Sequence, residues 1–144
     1  MPPLGAGPVA VNSRFSLDID GHDLGCFSTL EGLGVQVEVS EYMEGGNPYY
    51  VHQIPGQFRY NNVVLSRPID KNTSAVMDWL KTMADGMKRG NAAISALDPA
   101  GTVVVTWSLQ GVIPVRWVGP HLDVENQLHA TETLELAHHG FLFT

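Results

Sequence analysis

The chain has 144 residues, with 15 acidic and 8 basic side chains that give a formal net charge of −7. This length suits one domain with a substantial hydrophobic core, and no apolar stretch approaches the roughly 20 residues that a membrane-spanning helix needs. The acidic balance disfavours binding to nucleic acid through its phosphates, and the single cysteine, Cys26, excludes an internal disulfide and a cysteine-rich metal site.

Residues 1–12 are rich in proline and glycine and are expected to form a flexible N-terminal tail. They lack the basic start and the continuous apolar block of a secretory signal, so we expect synthesis in the cytoplasm. A single domain is expected over residues 13–144.

The first part of this domain contains two stretches in which apolar and polar residues alternate, as they do in half-buried strands. Phe15 and Leu17 share a face in the first stretch, which ends at an Asp-Gly turn signal. Val37 is the centre of the second stretch, residues 35–39, which leads toward Tyr42. Phe15, Leu17 and Val37 are therefore predicted to be core residues.

Residues 43–57 form a long glycine-containing connection between two strand-like segments, where a hairpin needs only about two to five residues. Long connections in compact domains usually bind something, and tyrosines suit a protein contact. We predict an assembly arm that Pro55 and Gly56 return to the sheet; a solvated loop is the alternative. The contact residues predicted here are Tyr42, Glu44, Gly45, Gly46, Tyr49, Tyr50, Pro55 and Gly56.

A helix is predicted from about residue 73 to residue 88, because apolar residues recur there on one stripe. The stripe consists of Val76, Leu80, Met83 and Met87, with Trp79 beside it. Asn72 or Thr73 can cap the start of the helix. The helix is expected to pack on a sheet, which places Trp79 and Leu80 in the core.

A β-hairpin is predicted after the helix, and its second strand covers residues 102–109. Trp107 lies on the apolar face of that strand and is predicted to be a core residue. Residues 111–118 are predicted to form a further strand, in which Pro114 indicates an edge, a bulge or a bend. Trp117 is evenly balanced between the core and a subunit interface, and we include it among the predicted contact residues.

The last predicted strand covers residues 127–138, and its apolar face includes Leu134, a predicted core residue. Glu132 falls on the same face, where an unpaired carboxylate would be costly to desolvate. It must therefore pair with a basic or backbone donor, lie in a subunit contact, or face a wet surface. We include Glu132 among the predicted inter-subunit contacts.

The sequence shows no pattern typical of a catalytic, cofactor or metal site. His138 and His139 are adjacent on a predicted strand, so their side chains point to opposite faces and cannot readily share an ion. The other histidines are dispersed, and neither a Ser-His-Asp motif nor a phosphate-binding loop is present. We therefore predict a protein that is not an enzyme and that needs no cofactor or metal.

Seven or eight strands with one inserted helix predict a mainly β fold, in which two packed antiparallel sheets form a sandwich or barrel. The pattern becomes more specific when its segments are taken in order. They are residues 15–21, 27–33, 41–46, 54–56, 106–109, 113–120 and 131–140, with the helix around Trp79. This ordered set resembles the tail tube proteins of contractile phage tails, of phage-tail-like extracellular injection particles and, more distantly, of the type VI secretion tube.

The resemblance covers essentially everything after the N-terminal tail, and the His-His-Gly sequence at residues 138–140 is most similar to the injection-particle branch. It implies that six copies close into a ring with a continuous β-barrel lumen and that the rings stack into a rigid hollow tube. A contracting sheath then drives this tube through a target envelope. The arm is implied to reach an adjacent subunit or ring.

The partners that the resemblance implies are further copies of the chain, a sheath protein, baseplate and tube-terminating proteins and, as a candidate, a cargo protein in the lumen. Sequence-specific binding to nucleic acid and stable membrane insertion are not expected. The implied location is the cytoplasm during synthesis and assembly, and afterwards a phage tail or a phage-tail-like particle that is released from the cell.

Two other interpretations stay open at this point. The chain could be a paralogous tube initiator that joins the tube to the baseplate, which the copy number per particle would distinguish from the main tube subunit. It could also be a monomeric β-barrel that binds a small ligand, or an enzyme on such a scaffold, and either would show an enclosed pocket and stay monomeric at every concentration.

Overall fold

A computed structural model describes residues 14–42, 45–46, 49, 51–120 and 130–142. The described residues form nine strands and one helix. The strands are β1 (Arg14–Ile19), β2 (His22–Phe27), β3 (Thr29–Glu31), β4 (Val35–Tyr42), β5 (His52–Tyr60), β6 (Val63–Pro68), β7 (Gly90–Leu97), β8 (Val103–Val118) and β9 (Thr131–Ala137), and the helix is α1 (Thr73–Asp85). Within these ranges, no helix is long and apolar enough to cross a membrane.

Seven of the strands pair side by side in the order β2-β1-β7-β8-β9-β6-β3, and β4 pairs with β5 in a separate two-stranded ribbon. All of the pairs are antiparallel. The predicted mainly β fold with packed antiparallel sheets is therefore confirmed. The alternation of apolar and polar residues explains the packing, because it gives each strand one face that must be removed from water.

β8 is shared by two sheets, one formed by β2-β1-β7-β8 and the other by β8-β9-β6-β3, and the chain passes through it from one sheet to the other. It runs for 16 residues, of which the first part pairs with β7 and the last part pairs with β9. Gly111 lies directly before Val112, the last residue of β8 that pairs with β7, and has a φ of +65°, a conformation that favours glycine. The prediction of two separate strands here is wrong, because the strand changes direction at this glycine without ending. The bulge expected around Pro114 is confirmed by a shift of register between Pro114 and Arg116.

The opposite corner of the two sheets lies at Ser28, which separates β2 from β3. The Ser28 N–H donates to the Ser66 carbonyl in β6 at 2.9 Å. Here too the chain passes directly from one sheet to the other. The two sheets therefore share both corners and enclose a common core.

The core lies between the two sheets and beneath α1. The predicted core residues that are buried in it are Leu17, Trp79 and Leu134. The predicted core residues that are partly buried against it are Phe15, Leu80 and Trp107. Val37 is an exception and remains 40% exposed, because among the described residues β4 pairs with β5 alone, outside the two packed sheets. Its assignment to the core is wrong for the single chain.

The helix is shorter than predicted at its C-terminal end. It ends at Asp85, and Gly86 adopts an extended conformation while its N–H bonds the Thr82 carbonyl at 3.3 Å. Met87 therefore lies beyond the helix and is 58% exposed instead of continuing the buried stripe. Asn72 occupies the capping position at the start, but its side chain makes no capping hydrogen bond.

A strained backbone conformation usually costs about 1–3 kcal/mol. We expect the substitution Gly32→Ala to lower the free energy of unfolding by more than this, because a steric collision adds to the strain. Gly32 has a φ of +89°, and a Cβ at this position would collide with the Asn62 carbonyl oxygen, which belongs to backbone and cannot rotate away. Chemical denaturation followed by tryptophan fluorescence measures the change.

The matched control is Gly21→Ala. Gly21 has a φ of +82° but no atom within 4 Å of the added Cβ, so the control reports backbone strain alone. Equal losses of stability in the two variants would show that the contact with Asn62 contributes nothing.

Candidate assembly surface

The ribbon formed by β4 and β5 is the most exposed element among the described residues. Every residue of β4 is exposed, and so is every residue of β5 except its two terminal residues, which are half-buried. Neither strand pairs with a third strand in the described part of the chain. Both outer edges of the ribbon therefore present backbone N–H and C=O groups that can pair with another strand.

One face of the ribbon is apolar. Because directly opposite residues of an antiparallel pair share a face, Val37 and Phe58 lie side by side on it, flanked by Val35 and Val39 along β4. Their exposed fractions are 40% for Val37, 63% for Phe58, 48% for Val35 and 51% for Val39. We call these four residues the apolar ribbon face. Contiguous exposed hydrophobic residues of this kind mark an interaction site in a soluble protein.

The other face of the ribbon is polar near its base. Arg59 forms an ion pair with Glu38 there, and both side chains are largely exposed. Gln36 lies opposite Arg59. Nearer the tip, this face carries Ile54 and Tyr42, which are 52% and 55% exposed. The two faces at the ribbon base therefore differ in chemistry, so they are suited to different surroundings.

The predicted arm is partly strand. β4 extends to Tyr42 and β5 begins at His52, so the connection between them covers residues 43–51. Pro55 and Gly56 lie inside β5, where Pro55 is opposite Val39, and they do not form the return from the loop. A proline is tolerated there because an outer strand edge needs no N–H donor.

The other predicted contact residues of the arm that the structure describes lie near the tip of the ribbon. Gly45 and Gly46 form a turn, and Tyr49 is 89% exposed. Glu44 and Tyr50 lie outside the described residues. The exposure of Tyr49 and Tyr42 is compatible with a contact, which remains a prediction.

Glu132 is not a surface contact of the chain. It is completely buried, and the Arg67 Nε donates to its Oε1 at 2.6 Å. Of the three surroundings considered for this carboxylate, the basic partner is correct and the subunit contact is wrong. Sequence reasoning missed Arg67 although it follows Val63 and Leu65 at alternate positions, because its partner lies 65 residues away in the chain.

Arg67 also joins three parts of the fold. Its two terminal nitrogens donate to backbone carbonyls, at 2.7 Å to Leu24, at 3.3 Å to Cys26 and at 3.0 Å to Asn72. The guanidinium lies 4.2 Å from the centre of the Phe27 ring. One side chain therefore connects β6 with β2, β9 and the start of α1.

Trp117, the other predicted contact outside the arm, is half-buried and packs against the core. Its Nε1 is buried and finds no acceptor among the described residues. Trp117 therefore combines features of a core residue and of an interface residue. The inter-subunit contact of Trp117 stays a prediction.

The base of the ribbon is held to the two sheets by a cluster of rings. Tyr60 lies at the end of β5, with ring-centre distances of 5.6 Å to His138 and 5.8 Å to Phe141. His138 and Phe141 are 5.7 Å apart. His138 is buried at 7% exposure. We call these three residues the ribbon anchor.

His138 uses both of its ring nitrogens in the ribbon anchor. Its Nδ1 accepts from the Gly140 N–H at 3.1 Å, and its Nε2 lies 3.1 Å from the Asn61 carbonyl. Burial lowers the pKa of His138, and this effect outweighs the hydrogen bond to the Asn61 carbonyl, which acts in the opposite direction. The imidazole is therefore held in its neutral form.

No group of three or more histidine, cysteine, aspartate or glutamate side chains in the described ranges is arranged to hold a metal ion. The features that distinguish this surface are instead the apolar ribbon face, the free strand edges and the ring cluster beneath them. This combination is suited to binding protein.

Comparison with solved structures finds the same fold in other proteins. A chain of the anti-feeding prophage (AFP) baseplate is 22% identical, with 96% of each chain covered and a TM-score of 0.77. A chain of the PVC sheath–tube complex, from an extracellular contractile injection system, is 21% identical, with 96% of this chain and 92% of that chain covered and a TM-score of 0.77. Hcp1 from Salmonella typhimurium is 16% identical, with 88% of this chain and 82% of that chain covered and a TM-score of 0.53.

The sequence comparisons decide the family. No curated protein sequence matches the chain, but residues 11–142 match the family described as T4-like virus tail tube protein gp19. This match confirms the resemblance found in the ordered segments of the sequence. Since it extends over nearly the whole length, the chain belongs to the family of T4-like virus tail tube proteins.

Proposed function

We propose that this chain is the structural subunit of the inner tube of a contractile, phage-tail-like injection system, in which six copies form a ring and the rings stack into a rigid hollow tube. The observation that carries the proposal is the exposed ribbon on a member of the tail tube family. The apolar ribbon face, with Phe58 63% exposed, needs a covering surface. Further copies of the same chain are the partner that the family membership supports.

The free edges of β4 and β5 supply a mechanism for ring closure. Strand pairing between neighbouring copies would satisfy their backbone groups and remove the risk of uncontrolled aggregation. A head-to-tail contact whose rotation closes produces a ring, whereas an axial contact without closure produces a filament. One small domain can therefore build a long tube from two kinds of contact.

The proposed role is mechanical and needs no chemistry. Each subunit would contact several neighbours, so the lattice stays together under axial load even where a single contact is weak. A ring of six copies would carry six times the formal charge of −7. Stacking would therefore require local charge matching or screening by salt, and we propose that much of the excess acid faces the lumen or the outside of the ring.

The proposed partners follow from the same assembly. A sheath protein is supported by the similarity to a chain of a sheath–tube complex, and a baseplate protein by the similarity to a chain of a baseplate. We extend the proposal to a tube-terminating protein and to a cargo protein in the lumen. We also propose that the particle assembles in the cytoplasm and is then released from the cell.

A tube initiator that joins the tube to the baseplate is a second candidate. The similarity to a chain of the AFP baseplate favours it, because that structure matches as well as the sheath–tube complex does. The copy number of the protein in purified particles separates the two roles, since an initiator contributes a few rings and a tube subunit contributes most of the length.

We expect deletion of residues 45–50 to leave a folded domain that assembles poorly, because the deletion removes the turn at Gly45 and Gly46 and the exposed Tyr49 and spares the two-sheet core. Negative-stain imaging and sedimentation over a concentration series should show rings or hollow rods for the wild-type chain and mainly monomers for the deletion. Near-ultraviolet circular dichroism and thermal melting test whether the fold is kept.

A variant in which a Gly-Ser linker of equal length replaces residues 45–50 is the matched control, because it keeps the length of the connection and removes its side chains. Wild-type tubes from the deletion variant would refute the role of the arm. A wild-type chain that remained monomeric at every concentration would refute the proposed function itself.

A further inference from the structure

We propose that His138 is a proton-sensitive latch, which holds the segment at Gly140 against the base of the β4–β5 ribbon when it is neutral and releases this segment when it is protonated. The effect of this release on tube assembly rests on the proposed function. The latch itself is a property of the single chain and can be tested there.

The two hydrogen-bond partners of His138 determine which of its ring nitrogens carries the proton. The Asn61 carbonyl can only accept a hydrogen bond, so the Nε2 at 3.1 Å must carry the proton. The Gly140 N–H can only donate, so the Nδ1 at 3.1 Å must be unprotonated. Both bonds can exist together only in the neutral imidazole with its proton on Nε2.

Protonation would break one of these two bonds. A second proton on Nδ1 would point at the Gly140 N–H, so that two donors face each other. Gly140 has little freedom to move away, because a Cβ at this position would already lie 2.8 Å from the Tyr60 ring. The new charge would also be placed in a site that is buried among aromatic rings.

Among the described residues, no carboxylate faces this site to neutralise the positive charge that protonation of His138 would add. Tyr60 approaches from β5 and Phe141 from the C-terminal segment, and His139 is the adjacent ionisable group on the segment of His138 itself. Glu135 lies on the opposite face of β9, where it accepts from the Asn62 Nδ2 at 2.9 Å and pairs with Arg116 at 3.5 Å.

The pKa of His138 sets the direction of the effect. Burial lowers the pKa of His138 and the nearby His139 lowers it further, so the open, hydrated state binds the proton more readily than the closed state does. The latch is therefore fully stable above the ordinary histidine pKa of about 6.5. Its stability falls as the pH decreases below that value, until the lowered pKa of the closed state is reached.

The contacts of Asn61 connect the latch to the ribbon. Asn61 directly follows β5, and its N–H donates to the Gly34 carbonyl at 3.3 Å, directly before β4. Its own carbonyl bonds His138 on the sheet side. Asn61 therefore joins the base of both ribbon strands to His138, and this bond survives protonation because Nε2 stays a donor. The ribbon is affected instead through Gly140, because displacing Gly140 removes the support of the Tyr60 ring at the end of β5.

The test is hydrogen exchange of the Gly140 amide in dilute, unassembled protein from about pH 7.5 to about pH 5, corrected for the intrinsic pH dependence of exchange. We expect protection of this amide in the wild type to fall by up to about tenfold per pH unit within the titration window. His138→Gln keeps a donor and an acceptor but cannot titrate, so its protection should stay constant. His139→Gln removes the exposed neighbouring histidine, whose charge lowers the pKa of His138, so this variant should keep the loss of protection while the lower limit of the titration window rises slightly.

Parallel loss of protection in His138→Gln and in the wild type would overturn the proposal. If His138→Gln fails to fold, nitrogen chemical shifts of the wild-type imidazole decide instead, because a proton on Nδ1 in neutral solution would also overturn it. Sedimentation of concentrated protein over the same pH range tests the consequence for tubes. Tubes that persist while the latch opens would overturn the link to assembly, whereas a chain that never assembles would refute only the proposed function.

Discussion

Replacing Arg67 with alanine is expected to lower the free energy of unfolding by about 3–5 kcal/mol, the usual cost of removing one partner of a buried ion pair. Glu132 would remain completely buried without its partner at 2.6 Å. Three backbone carbonyls would lose a donor at the same time. Small domains are stable by only about 5–15 kcal/mol, so a large fraction of the stability would disappear. Equilibrium denaturation by urea measures the loss.

Two further variants show whether the burial of the pair causes this effect. Arg116→Ala removes an ion pair that is 3.5 Å long and largely exposed on the arginine side, so it should cost no more than about 1 kcal/mol. The double variant Arg67→Met, Glu132→Leu removes both charges and should recover part of the loss. Equal losses in Arg67→Ala and Arg116→Ala would contradict the argument.

Introducing a carboxylate on the apolar ribbon face, as in Phe58→Glu, is expected to abolish assembly while leaving the folded monomer almost as stable as before. Phe58 is 63% exposed in the single chain, so the monomer has little contact to lose. Burial of a phenylalanine side chain contributes about 1.5–3 kcal/mol, which corresponds to roughly 10- to 150-fold in the dissociation constant of each contact. Desolvating a carboxylate adds to that cost.

The matched control for this experiment is Gln36→Glu, which adds the same charge to the polar face beside Arg59. We expect it to assemble like the wild type. Sedimentation velocity gives the assembled fraction, and thermal melting shows that both variants are folded. If Gln36→Glu prevented assembly as strongly as Phe58→Glu, the apolar ribbon face would not be the specific contact surface.

The elements that sequence reasoning predicted most accurately are those with a strong local pattern. The alternation in residues 14–19 corresponds to β1 (Arg14–Ile19), and the predicted start of the helix corresponds to the first residue of α1 (Thr73–Asp85). The end of the helix was less accurate, because Gly86 leaves the helical conformation although the apolar stripe continues to Met87. A stripe shows which residues can share a face, but the backbone decides where that face ends.

The candidate site was only partly predictable. The long connection and its tyrosines pointed to the segment that joins the two strands of the ribbon, but the apolar ribbon face was missed, because its valines have the same alternating pattern as a core strand. Phe58 could have been found from its alternation with Tyr60 at the start of the strand after the arm. The ribbon anchor had no local signal, since His138 meets Asn61 across 77 residues.

The amino-acid sequence by itself determined the mainly β class, the positions of the alternating faces, the single helix and the order of segments that defines the family. These features depend on side chains a few residues apart, and the periods of a strand and of a helix are local properties. Only the tertiary structure decided that Leu17 is buried while Val37 is exposed, and that Glu132 pairs with Arg67 inside the core. Burial and pairing depend on which distant segment packs against a given face, and no local pattern contains that information.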